Sequence, residues 1–134
     1  MTKPIWIEKH DALILHDRLL ALYGGAAGLR DDTLLISDLA RPQQLHAYAD
    51  ASDTIDMATA YAAGIVRNHP FIDGNKRTGF VVSTLFLELN GYRFTASEED
   101  AAQAVLKLAS GMLDEAGYAT FLRANVKMEQ IREM

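Results

Sequence analysis

The stretch His69-Pro70-Phe71-Ile72-Asp73-Gly74-Asn75-Lys76-Arg77-Thr78-Gly79 lies between two apolar segments that both read as helices. Within it, nine residues gather a titratable imidazole, a carboxylate, an amide and two cations. Pro70 disfavours the helical region at His69, so the preceding helix is expected to stop near Asn68 and leave the imidazole at the mouth of a loop. Asp73 stands where an N-cap belongs, and Gly74-Asn75 open the next helix, whose first N–H groups lack intrahelical partners. Such a start attracts anions. Gly74 lets the backbone approach a bound group. Lys76 and Arg77 put positive charge into a first turn where the helix dipole disfavours cations. Any one of these residues alone fits a solvated interhelix turn; together they point to a phosphate-handling site.

Working outward, Ile55 to Asn68 is Ala-rich, with Met57, Tyr61 and Ile65 on one stripe and Ala58, Ala62 and Val66 beside it. Small residues there permit close helix packing. Thr78 to Leu89 is apolar nearly all round, which predicts a helix at the centre of the fold, stopped by Asn90-Gly91. Tyr92 to Thr95 reads as a short extended piece, too little to make a sheet. Ser97 caps the following helix, which runs past Ala101, Val105, Leu106 and Leu108 toward Met112, with Glu98, Glu99 and Asp100 at its positive end. A last helix begins near Asp114, uses Tyr118, Phe121, Leu122 and Val126, and fades into a tail at 127–134 expected to fray.

Upstream, Asp11 to Tyr23 has helical spacing and is stopped by Gly24-Gly25. Asp31 or Asp32 caps a second helix through Leu34, Leu35, Ile36 and Leu39, with Pro42 expected just after its end. Gln43 to Thr54 shows little periodicity and reads as an irregular connector. The pairs His10-Asp11 and His16-Asp17 suggest a metal phosphohydrolase, but they share one short helical stretch without further ligands and read better as polar helix surface. The expected architecture is all-α: a compact bundle of about six helices, one domain over 1–134.

The 134 residues, 49% of them apolar, suffice for a sizeable core. A net charge of -5 argues against broad nucleic-acid or anionic-membrane binding, so any basic patch must be local. With no cysteine, disulfides and thiolate sites are excluded. No stretch resembles a signal peptide or membrane span, and a soluble, cytoplasmic protein is expected.

The pattern His69-Pro70-Phe71-x-Asp73-Gly74-Asn75-x-Arg77 resembles the signature of the Fic/Doc family, whose members transfer part of a nucleoside triphosphate onto a protein side chain. Lys76 is similar to the Doc (death-on-curing) toxin branch, whereas the AMP-transferring Fic branch usually has Gly there. Further landmarks follow in order: Tyr23-Gly24-Gly25, Gly28-Leu29-Arg30-Asp31, Ala40-Arg41-Pro42 and Leu87-Glu88-Leu89-Asn90-Gly91-Tyr92. The resemblance implies a helical fold, ATP and Mg2+ as cofactors, His69 as general base and Asp73 as magnesium ligand. Gly74, Asn75, Lys76 and Arg77 would bind phosphate, with Phe71 anchoring the motif. It also implies a flap over roughly 41–51 that aligns the target, elongation factor Tu phosphorylated on a threonine, and a Phd-like antitoxin. No inhibitory string of Ser or Thr, three residues, Glu and then Gly or Asn occurs in the chain, so restraint is expected from that partner. A Fic-type AMP transferase and a non-catalytic interaction module are the alternative readings.

Overall fold

The computed structural model describes residues 3–49 and 51–129. In chain order its elements are α1 (Lys9–Tyr23), α2 (Asp32–Tyr48), α3 (Thr54–Asn68), α4 (Asn75–Leu89), β1 (Tyr92–Phe94), α5 (Glu98–Ser110), α6 (Glu115–Ala124) and β2 (Val126–Met128). Six helices and one minimal two-stranded ribbon make the fold all-α. No helix among the described residues is long and apolar enough to cross a membrane.

Helix starts are written in the sequence. Asp31 accepts from Leu34 N–H at 3.0 Å, Ser97 from Asp100 N–H at 3.1 Å and Asp114 from Gly117 N–H at 2.7 Å. Each supplies a side-chain acceptor to an otherwise orphaned backbone donor. Asp53 and Asp56 cap α3 reciprocally, and Arg123 of α6 reaches back to both carboxylates.

The centre is α3 rather than α4: Ile55 and every residue from Met57 to Val66 are buried, against α2, α4, α5 and α6. Alanine and glycine allow this helix to be surrounded, because a short side chain lets neighbouring backbones close in. Gly79 of α4 sits so near that a Cβ there would lie 2.7 Å from Val66 Cγ2 and 3.3 Å from the Ala62 carbonyl. Ser83 donates to the Ala58 carbonyl at 2.8 Å across the same seam. The broader apolar surface of α4 is shared with smaller contacts, leaving Leu89 40% exposed.

Further expectations need correction. Pro42 does not follow α2 but lies inside it. Its missing donor and ring clash, about 3 kcal/mol in a helix interior, are offset because Leu35, Leu39 and Pro42 itself are buried on one face toward α3. The irregular connector therefore shrinks. Helix α2 runs to Tyr48, so most of the supposed flap over 41–51 is helical, and His46 packs edge-on against Trp6 with ring centroids 5.6 Å apart. Helix α5 stops at Ser110 because Gly111 takes a left-handed conformation (φ 84), short of Met112. Val126 is not helical: Val126–Met128 pairs antiparallel with Tyr92–Phe94, so the extended piece does make a ribbon. Residues 130–134 of the predicted tail lie outside the described residues.

The N-terminal segment is fastened to the far end of α4. Asn90 accepts from Ile5 N–H at 2.7 Å and donates to the Ile5 carbonyl at 2.9 Å. Tyr61 receives Ile7 N–H at 3.0 Å, and burial pushes its phenol up to about 12.

Candidate active site

Helix α3 ends where Pro70 requires it to, but His69 adopts the left-handed conformation (φ 52, ψ 57) rather than an extended one. For a residue with a Cβ that conformation costs about 1–2 kcal/mol, so its surroundings must impose it. The imidazole is exposed. Its Nδ1 lies 3.4 Å from Asn75 Nδ2, and it has no other hydrogen-bond partner among the described residues.

The loop between His69 and α4 is pinned from below. Phe71 is 1% exposed and its ring stacks on His16, with centroids 3.8 Å apart and planes 10° from parallel. Asn75 clasps the Phe71 backbone twice, accepting from its N–H and donating to its carbonyl, each at 2.9 Å. The Asn75 side-chain amide is thus committed inward, and what it offers a ligand is its backbone N–H.

Asp73 is exposed and does not cap α4. The N-cap is Gly74, left-handed at φ 78, and no side chain bonds to the first turn. The Asp73 carboxylate instead accepts from Ala26 N–H at 3.1 Å and Gly74 N–H at 2.8 Å. Those two donors, Ala26 first, hold its carboxyl below the usual range, with His16 and Arg77 adding to the effect. Each oxygen thus accepts one backbone hydrogen bond and keeps a lone pair for a hard cation. Among the described residues no group of three His, Cys, Asp or Glu side chains could hold a metal ion. A single carboxylate suits magnesium that completes its shell with substrate phosphates.

Leaving Asp73 uncommitted to capping has a consequence: the N–H groups at the start of α4 stay free for an anion. Lys76 and Arg77 are exposed in that first turn. The Arg77 guanidinium lies over the Tyr23 ring, 4.0 Å from its centroid. Both cations border a cleft of about 540 Å3 floored by Leu19, Phe80 and Val105.

Sequence reasoning missed five supports. His16 is not helix surface: it is 2% exposed, and Nε2 donates to the Asp73 carbonyl at 2.8 Å. Its spacing of four from buried Ala12 was the available signal. The loop after α1 flanks the motif instead of the supposed flap: Leu29 bridges to Phe71, and Ile72 N–H donates to the Gly28 carbonyl at 3.0 Å. Gly25 makes room for Asp73, since a Cβ there would sit 2.9 Å from Asp73 Oδ2. Arg30 bonds the end of α3. Finally, Asp38 of α2 is 3% exposed and accepts from the Asn68 amide. Burial, outweighing Asn68 and the Arg41 charge, pushes its carboxyl up to about 6.

The all-α domain thus sets an imidazole, a carboxylate and two cations around one helix start without a side-chain cap, an arrangement suited to an anion. Residues 6–87 match the Fic/DOC family. The chain is 31% identical over 117 residues to "Protein kinase doc" of Escherichia phage P1, covering 87% of this chain and 92% of that protein. It is 39% identical over 75 residues to "Toxin Doc" of Mycolicibacterium smegmatis, 55% of this chain and 58% of that one. The chain belongs to the Fic/DOC family, in its Doc branch.

Proposed function

We propose that the protein is a Doc toxin that transfers the γ-phosphate of ATP to a hydroxyl of a translation factor, a threonine of elongation factor Tu. The observation that carries this reading is the start of α4: free backbone donors and Lys76 in one turn, with Asp73 held ionised and His69 exposed on either side. The name of the phage P1 relative, a protein kinase, supports the same reading.

In this mechanism the α4 N–H groups with Lys76 and Arg77 bind and neutralise the phosphates, so that the reacting groups meet in a fixed geometry. His69 takes the proton of the target hydroxyl as its oxygen bonds to the γ-phosphorus. The bond from that phosphorus to the β–γ bridging oxygen breaks, and ADP leaves. Asp73 would hold Mg2+, which when bound supplies charge neutralisation across neighbouring phosphate oxygens. Phe71 and His16 fix the loop without touching substrate.

Lys76 distinguishes this reading from AMP transfer. Where the AMP-transferring branch has Gly, a lysine fills space along the helix start and adds a point charge, so the nucleotide would present its γ-phosphate to His69. Incubation with elongation factor Tu, magnesium and ATP labelled on the γ- or α-phosphate tests it. The γ-label should enter the target and the α-label should not, and His69→Ala or Asp73→Ala should abolish transfer with the fold intact. The opposite labelling would establish an AMP transferase; no labelling of any target would leave a binding module.

A further inference from the structure

We infer that Arg30 is a positioning residue for His69. Three consecutive carbonyls at the end of α3, those of Asn68, His69 and Pro70, all accept hydrogen bonds from this one residue. Arg30 Nη2 donates to Asn68 at 2.6 Å, Nε to His69 at 2.6 Å, and the backbone N–H to Pro70 at 2.7 Å. The last carbonyls of a helix have no intrahelical partners and carry its negative end, so a guanidinium there is doubly favoured. Here it comes from another part of the chain.

The bonds land where the backbone is least able to hold itself. His69 is the one described residue other than glycine with positive φ. Its Cβ makes that conformation costly. The Asn68 side chain is already turned away to Asp38, leaving the carbonyls of 68 and 69 to Arg30. Asp31, next in sequence, also donates its N–H to the Pro70 carbonyl, at 3.0 Å, and caps α2, so the guanidinium projects from a fixed base. Arg30 thereby sets the direction in which the imidazole leaves the backbone, beside Asn75 at the head of α4. Because Arg30 is exposed, removing its side chain opens no core cavity.

The inference rests on His69 being the base, and its test has one arm that does not. In the transfer assay, Arg30→Ala should lower kcat by about 10²-fold, the scale of an ångström of misplacement. KM for ATP and target should stay within about two-fold. Arg30→Lys should recover part of the rate, and added methylguanidinium should partly rescue Arg30→Ala. A raised KM at unchanged kcat would mean that Arg30 touches substrate and would overturn the inference, as would a wild-type rate. In the second arm, two-dimensional NMR of the imidazoles, Arg30→Ala should move and broaden the His69 resonances while the Trp6 indole signal stays in place. Undisturbed His69 resonances would overturn the inference even if the protein transferred nothing; disturbed ones would uphold it even then.

Discussion

At the scale of single residues, the site depends on where charge is tolerated. Asp73 and Asp38 are both near the motif, yet backbone donors stabilise one carboxylate while burial penalises the other. For Asp38 the carboxyl stands at 3.8 unfolded and about 6 folded. The folded state therefore binds the proton more tightly. The associated stability is fully present below about pH 4 and is lost as pH rises through about 6. Asp38→Asn keeps an acceptor for Asn68 but never ionises. It should exceed wild type in stability by on the order of 2 kcal/mol at about pH 8, with the advantage vanishing near pH 4. Urea denaturation at both pH values checks this, and an equal difference at the two would mean that Asp38 does not titrate across the transition.

At the scale of elements, the seam between α3 and α4 fixes how far the motif opens, because the two helices extend from it side by side and antiparallel, Gly79 meeting Ala62 and Val66 and Ser83 meeting Ala58. Gly79→Ala tests that seam. Helix propensity alone would favour alanine by about 1 kcal/mol, but the new Cβ meets Val66 Cγ2 and the Ala62 carbonyl, and overpacking of this kind costs about 1–3 kcal/mol. A net loss near 1 kcal/mol is expected from the urea midpoint; a gain would mean the helices separate freely. The same balance explains what could be read from sequence. The caps at Asp31 and Ser97 and the helix start near Asp114 are local chemistry and were legible, as was the break at Pro70. Pro42 was not, since its place inside α2 is decided by burial against a helix yet to come in the chain. Nor was β2, whose partner lies thirty-odd residues earlier. Within the candidate site, the grouping of His69, Asp73, Lys76 and Arg77 was legible because they are contiguous, whereas His16 and Arg30 come to the motif from 57 and 38–39 residues away in sequence, with α2 and α3 in between.

At the scale of the molecule, a net charge of -5 coexists with Arg30, Lys76 and Arg77 around one end of α4. The acidic remainder leaves that end as the local attraction for phosphate. If the toxin reading holds, expression of this chain should arrest bacterial growth, His69→Ala should not, and co-expression of a cognate antitoxin should restore growth. Colony counts after induction measure all three. Arrest by a stably folded His69→Ala protein would separate toxicity from transfer.

The two outer segments of the described chain meet at one corner. Asn90 grips Ile5, and Glu129 N–H donates to the Gly91 carbonyl at 2.7 Å. That corner is at the opposite end of α4 from the motif, and fifteen helical residues separate them by about 20 Å. For anyone wishing to hold this protein, the geometry supplies a handle. A tether, dye or fused module attached through either segment enters at a single place, a helix length away from the motif.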